Sequence, residues 1–102
     1  MTKFTEIMNK ISFYYKSSGK IYENHSPIYG NDVPIYRSKS ALKYILDVSP
    51  ETYEYIANFS NIAIDCIKKK ILFDSLDEIM QNCPEDIVDG IEYIKEWLKS
   101  LL

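Results

Sequence analysis

The sequence contains few residues that could cross-link a small domain. Two cysteines, Cys66 and Cys83, and one histidine, His25, occur among its 102 residues. A closed structural zinc site needs four Cys or His ligands, and these three residues follow neither C-x-x-C nor H-x-x-x-H spacing. Two cysteines also fall short of a disulfide framework. The sequence therefore predicts a domain stabilised by its apolar core, without a metal or another cofactor.

Glycine and proline are scarce as well, with three and four residues. So few glycines leave no Gly-rich loop for a phosphate, and the chain contains no G-x-S-x-G or H-E-x-x-H motif. His25 is the one imidazole that could activate a nucleophile. It lies in a turn-like run, residues 23–27, where a solvated loop histidine is the simpler interpretation. We therefore expect no catalytic residues and a protein that is not an enzyme.

The chain also lacks a long hydrophobic run. The longest nearly apolar stretch, residues 62–67, is interrupted by Asp65 and is far shorter than the roughly 20 residues that span a membrane. The first six residues carry polar side chains at every second or third position, which does not fit a secretory signal. We expect a cytoplasmic protein with no membrane partner.

What the sequence does contain is enough apolar material for one core. Apolar residues make up 46% of the chain and charged residues 26%. A chain of this length fits a single domain, residues 1–102, with a radius of gyration of about 13 Å. Such a domain buries roughly 60–70% of the surface of its unfolded chain.

Apolar side chains recur at helical spacing along most of the chain. Residues 3–17 form an amphipathic pattern that starts after Thr2, a good N-cap residue, and ends before Gly19. The run Ser49-Pro50-Glu51 is a strong helix start, and Ser75 with Glu78 matches a capping box. Four more helices are therefore predicted, starting at Ser38 or Ser40, at Pro50 (about 20 residues, the central element), at Ser75 and at Pro84.

Residues 18–37 interrupt the helical pattern. Three Ile-Tyr pairs occur there at a spacing of seven residues, and Pro27 and Pro34 each precede one of them. Each proline fixes φ and removes a backbone donor, and it favours an extended residue before it. The predicted fold is therefore mostly α: a small bundle of four to five helices with an irregular extended arm or a short β-hairpin at about 18–37. Three or four helices packed on a hairpin are the alternative.

Charge is distributed unevenly along the chain. Residues 1–40 carry six basic and three acidic residues, whereas residues 74–102 carry two basic and eight acidic ones. Four acidic residues of the last predicted helix recur at i, i+4, i+7 and i+11, namely Glu85, Asp89, Glu92 and Glu96. Lys95 and Lys99 are expected to offset part of their repulsion. This stripe is either a solvated helix face or a surface that attracts a basic partner.

In size, acidity and richness in Tyr and Ile, the chain is similar to the immunity proteins encoded beside bacterial nuclease toxins. The similarity covers these general properties and no diagnostic residues. It implies a protein that binds a basic toxin and blocks it. On this hypothesis the four acidic residues capture the partner, and three tyrosines supply apolar contact area: Tyr22, Tyr29 and Tyr36.

Two alternatives remain open. One is a helical adaptor or chaperone that acts as a homodimer, since the sequence does not specify the oligomeric state. The other is a single-stranded nucleic-acid binder that stacks bases on the tyrosines of its N-terminal half. A single arginine in the whole chain and the acidic C-terminal region argue against the second alternative, because phosphate binding depends on Lys and Arg.

Overall fold

The computed structural model of the protein describes residues 2–18, 32–62 and 65–102, and within these ranges all regular secondary structure is helical. The mostly α class predicted from the sequence is thereby confirmed. The described part contains six helices: α1 (Lys3–Ser17), α2 (Asp32–Val48), α3 (Pro50–Ala57), α4 (Phe59–Ile62), α5 (Cys66–Asn82) and α6 (Glu85–Ser100). Residues 19–31, where most of the predicted arm or hairpin falls, lie outside the described ranges.

Helix α1 has the bounds that the sequence predicts. Thr2 is its N-cap, and the Thr2 hydroxyl accepts a hydrogen bond from the Thr5 backbone N–H at 3.2 Å. Such a bond satisfies one of the backbone donors that every helix start leaves unpaired. The apolar side of the helix buries Ile7, Ile11 and Tyr15.

Helix α2 begins at Asp32, so the predicted start at Ser38 or Ser40 is wrong. Pro34 does not break this helix because it lies in the first turn, where its missing N–H would have no partner within the helix. Residues 32–37 are therefore helical and not part of an extended arm. The buried residues of α2 are spaced as one helical side: Pro34, Ser38, Ala41, Leu42 and Ile45.

The predicted helix of about 20 residues from Pro50 is divided, although its N-cap at Ser49 is confirmed. Asn58 ends α3. Its side-chain amide donates to the Glu54 carbonyl oxygen at 2.9 Å, and its backbone N–H donates to the same oxygen at 3.0 Å. Asparagine favours such positions, since its short side chain competes for backbone hydrogen bonds.

A new helix starts after Asp65, which caps α5. The Asp65 carboxylate accepts from the backbone N–H groups of Ile67 and Lys68 at 3.1 and 3.0 Å. Because α5 then continues to Asn82, Ser75 lies in its interior, and the predicted helix start there is wrong. The three lysines at 68–70 consequently lie in the first turns of a helix rather than in its last turns.

The most extensive helix pair is α2 with α6, so the central element is not the predicted helix from Pro50. Gly90 makes this contact possible. A Cβ atom at position 90 would lie 2.1 Å from the Arg37 carbonyl oxygen and 2.7 Å from the Ala41 Cβ. The two backbones therefore approach more closely than any side chain at position 90 would permit.

Ser38 provides a prediction for stability. Its hydroxyl is fully buried and forms no hydrogen bond within the described part of the chain. An unpaired buried polar group costs about 1–3 kcal/mol. We expect Ser38→Ala to raise the free energy of unfolding by about 1 kcal/mol more than Ser40→Ala, which makes the same change in helix propensity at an exposed position of α2. Urea denaturation of both variants measures the difference, and equal effects would contradict the prediction.

Candidate functional site

The four acidic residues predicted as a binding stripe all lie on α6. We call Glu85, Asp89, Glu92 and Glu96 the acidic face of α6. Their spacing places them on one side of the helix, and the side that packs on the core carries Gly90, Ile91, Ile94, Trp97 and Leu98. Within the acidic face, Glu85 and Glu92 are exposed, whereas Asp89 and Glu96 are partly buried. The acidic face is thus the outer side of the helix.

Tyr93 lies at the edge of this face and is half-buried. Burial raises the pKa of its hydroxyl above the usual value, and the nearby carboxylates of Asp89, Glu96 and Glu92 raise that pKa further. The guanidinium of Arg37 acts in the opposite direction. Three of the four carboxylates of the acidic face are therefore close enough to Tyr93 to affect its ionisation.

Tyr15 of α1 connects this region to the core. Its side chain is fully buried, and its hydroxyl donates to the Tyr93 carbonyl oxygen at 2.5 Å and lies 3.4 Å from a carboxylate oxygen of Glu96. The rings of Tyr15 and Tyr93 also meet edge to face, with centroids 5.8 Å apart. The spacing of apolar residues in α1 predicts that Tyr15 is buried, but no sequence signal predicts its hydrogen bonds to α6.

Arg37 of α2 forms an ion pair with a residue of the acidic face. One of its guanidinium nitrogens lies 3.6 Å from an Asp89 carboxylate oxygen, and both side chains remain more than two-fifths exposed. Exposed pairs of this kind contribute roughly 0–1 kcal/mol. Among the described residues, Arg37 therefore pairs with one carboxylate of the acidic face, that of Asp89, and the pair contributes little.

The predicted tyrosine contacts are described only in part. Tyr36 lies on α2, next in sequence to Arg37, and its side chain is 72% exposed. Tyr22 and Tyr29 lie outside the described residues. Tyr36 is thus a helical residue rather than part of an extended arm, and its ring is accessible.

Lys95 pairs with a residue of another helix and not with the acidic face. Its ammonium group forms a salt bridge with Asp77 of α5, and its side chain is only 19% exposed. The salt bridge therefore draws this lysine towards α5 and away from the outer side of α6. Lys95 therefore does not offset the charge of the acidic face in the way that its position in the sequence predicts.

The chemistry of the site is that of exposed carboxylates and tyrosine rings. Within residues 2–18, 32–62 and 65–102, no group of three or more His, Cys, Asp or Glu side chains is placed to hold a metal ion. None of the described helices is both long and apolar enough to cross a membrane. Carboxylates on an exposed helix side attract cationic groups, and tyrosine rings provide contact area with a polar edge.

The ionisation of Tyr93 gives a prediction of pH dependence. Because its pKa in the folded protein lies above the usual 10.0, the unfolded chain loses this proton first as the pH rises. The stabilisation is complete below pH 10 and is lost as the pH rises towards the pKa of the folded state. We expect the free energy of unfolding to fall above about pH 10, and to fall less in Tyr93→Phe.

Urea unfolding at several pH values between about 8 and 11 tests this expectation. Tyr36→Phe, which removes an exposed hydroxyl, is the control. Parallel pH profiles for the wild type and Tyr93→Phe would show that the burial and the surrounding carboxylates of Tyr93 do not affect its ionisation.

Comparison with known proteins adds no assignment to this geometry. No protein-family model, no curated protein and no solved structure matches the chain. The argument for function therefore starts from the acidic face of α6 and its neighbours.

Proposed function

We propose that this chain is a non-enzymatic binding protein that neutralises a basic protein partner through the acidic face of α6. One observation carries the proposal. Four carboxylates lie along the side of α6 opposite its core-facing residues, while Lys95 of the same helix pairs with Asp77 on α5. The fold thus keeps a nearby positive charge away from the acidic residues.

The repulsion between these carboxylates supports a role in binding another molecule. Like charges at i and i+4, as in Glu85 with Asp89 and Glu92 with Glu96, destabilise a helix by a few tenths of a kcal/mol per pair. A basic partner removes this repulsion. It also meets a field that steers its approach, and such fields raise association rates by about 10- to 1000-fold.

Tyrosines near the acidic face provide the apolar part of the contact. Tyr36 is largely exposed, and Tyr93 is half-buried among three carboxylates. Tyrosine is enriched in the cores of protein interfaces, where its ring buries area and its hydroxyl forms hydrogen bonds. We include Tyr22 and Tyr29 in the proposed contact on the basis of the sequence.

A nuclease toxin is the class of partner that we propose, in line with the general similarity to bacterial immunity proteins. An enzyme that acts on nucleic acid presents Lys and Arg side chains to the phosphate backbone. A protein that covers those side chains must offer negative charge in their place. The acidic face of α6 meets this requirement.

The test uses oligolysine as a basic probe and measures its association rate. We expect Asp89→Lys/Glu92→Lys to slow association at least about 10-fold at low salt, because the steering field reverses locally. High salt should remove most of the difference, since exposed charges are screened.

Glu6→Lys/Glu51→Lys is the matched control, because it makes the same change in net charge at exposed positions of α1 and α3. We expect it to change the rate much less. Circular dichroism establishes that both variants are folded. If the two variants slow association equally, only net charge matters, and the proposal that α6 is the binding surface is wrong.

A further inference from the structure

A cleft of about 320 Å³ lies where the end of α2 and the start of α3 meet α5. Tyr44 and Val48 line this cleft from α2, and Ser75, Glu78 and Asn82 line it from α5. Clefts of roughly 300–1,000 Å³ with a few convergent polar groups are typical of ligand sites. The lining residues do not belong to α6, so the cleft is a candidate site that the proposed function does not use.

Three polar side chains of the cleft have no partner in the described part of the chain. The hydroxyls of Tyr44 and Ser75 and the carboxylate of Glu78 form no hydrogen bond or ion pair with another described residue. By contrast, Ser49 and Thr52, which line the cleft from the start of α3, pair with each other through their hydroxyls at 2.7 Å. Tyr44, Ser75 and Glu78 are therefore the groups that can contact a ligand without breaking a bond of the fold.

The charge of the cleft is negative. Among the described lining residues, Glu78 is the only charged side chain, and none is lysine or arginine. Helix α2 ends at this cleft with no basic residue in its last turn, and the C-terminal end of a helix carries partial negative charge. The opposite charge at the start of α3 is offset by Glu51 in its first turn. The cleft therefore favours a cation.

Pro50 adds to the negative character of the end of α2. The Ser49 N–H donates to the Ile45 carbonyl oxygen at 2.8 Å. The next N–H along the chain would come from residue 50, which is proline and has none. The Leu46 carbonyl oxygen consequently receives no helical hydrogen bond. Cationic side chains are the usual partners of such carbonyl groups at the ends of helices.

We propose that the cleft binds a guanidinium group, carried by an arginine side chain of another protein or by a free small molecule. A guanidinium has five N–H donors in one plane and no acceptor, so it matches a site that offers one carboxylate and two hydroxyl oxygens. Its flat face also stacks on an aromatic ring such as that of Tyr44. An ammonium group is more compact and reaches fewer of these acceptors at once. The cleft does not include the acidic face of α6, so this inference is independent of the proposed function.

An NMR titration of the isotope-labelled full chain tests the proposal, with acetyl-Gly-Arg-Gly-amide as the first probe. We expect the backbone amide signals of Ser49, Thr52, Ser75 and Asn82 to shift with a Kd of about 1–10 mM, because one exposed charge pair and a few hydrogen bonds give little free energy. The peptide with citrulline in place of arginine is the matched control, since it keeps the shape and lacks the charge. It should bind at least about 10-fold more weakly, and the lysine peptide about 3-fold more weakly.

Two variants identify the groups that hold the probe. Glu78→Gln keeps the size of the side chain and removes its charge, and it should weaken binding of the arginine peptide at least about 5-fold. Ser75→Ala should weaken it about 2-fold, the effect of one hydrogen bond to an exposed hydroxyl. Glu6→Gln is the matched control, because it makes the same change as Glu78→Gln at an exposed position of α1, outside the cleft. It should leave the Kd unchanged, and circular dichroism establishes that all three variants are folded.

Free L-arginine distinguishes the two sources of the guanidinium group. If it binds more tightly than the peptide, the cleft is assigned to a free small molecule, and otherwise to an arginine side chain of a protein. Three results would overturn the inference: equal binding of the arginine and citrulline peptides, equal effects of Glu78→Gln and Glu6→Gln, or no shift of the cleft signals at about 50 mM peptide, well above the expected Kd. Glu78→Gln keeps the acidic face of α6, so its association rate with oligolysine tests the proposed function separately.

Discussion

Gly90→Ala lowers the free energy of unfolding by about 1–2 kcal/mol, which is the cost of overpacking less the gain in helix propensity. Alanine at a helical position normally gains about 1 kcal/mol over glycine. Here the added Cβ would lie 2.1 Å from the Arg37 carbonyl oxygen and 2.7 Å from the Ala41 Cβ. Forcing a methyl group into such a close contact shifts the backbones of α2 and α6 apart, and overpacking of this kind costs about 1–3 kcal/mol and occasionally more. We expect the loss to exceed the gain in helix propensity.

Urea denaturation measures this effect, with the fluorescence of the single tryptophan, Trp97, as the signal. Trp97 is buried on α6, so its emission reports the packing of that helix. Ala41→Gly is the matched change on α2, and the double variant completes a cycle. The double variant should recover only part of the loss, because the contact with the Arg37 carbonyl oxygen remains. An increase in stability in Gly90→Ala would show that the helices separate without cost.

Tyr15→Ala has the largest expected effect on stability, a loss of about 3–5 kcal/mol, which is typical for truncation of a buried aromatic side chain. The ring is fully buried, and it packs edge to face against Tyr93 with centroids 5.8 Å apart. Tyr15→Phe keeps the ring and removes the hydroxyl. Its expected loss is about 0.5–1.5 kcal/mol, the usual net contribution of one hydrogen bond, since the Tyr93 carbonyl oxygen keeps its helical partner within α6.

The two variants separate packing from hydrogen bonding in one measurement. Tyr36→Ala is the control, because it removes the same number of atoms from a side chain that is 72% exposed. It should change the free energy of unfolding by no more than about 0.5 kcal/mol. If Tyr15→Phe were as stable as the wild type, the hydroxyl would not hold α1 to α6. The contact between the Tyr15 hydroxyl and the Glu96 carboxylate would then not contribute to stability.

Local signals in the sequence account for several helix boundaries. Thr2 and Ser49 cap α1 and α3, as their side-chain oxygens predict, and α6 starts directly after Pro84. Asn58 and Asp65 are equally good capping residues. The apolar pattern nevertheless continues past both residues at helical spacing and fits one long helix. The sequence analysis therefore does not predict the division into α3, α4 and α5.

The same distinction applies to the candidate site. The spacing of Glu85, Asp89, Glu92 and Glu96 is enough to place them on one side of a helix, because helix geometry depends only on positions along the chain. The direction that Lys95 takes, and the contact of Tyr15 with Tyr93 and Glu96, involve partners on other helices. No regular spacing relates these residues in the sequence.

The amino-acid sequence alone establishes that the chain is mostly α, that it offers no recognisable catalytic motif and that its C-terminal helix is acidic on one side. Composition, helix propensity and capping are properties of residues within a few positions of each other. The tertiary structure determines three other features: the close crossing at Gly90, the salt bridge of Lys95 with Asp77, and the position of Lys68, Lys69 and Lys70 at the start of α5. These features depend on which helices pack together and on the residue at which each helix starts. Both are set by the burial of the apolar sides of all the helices in one core.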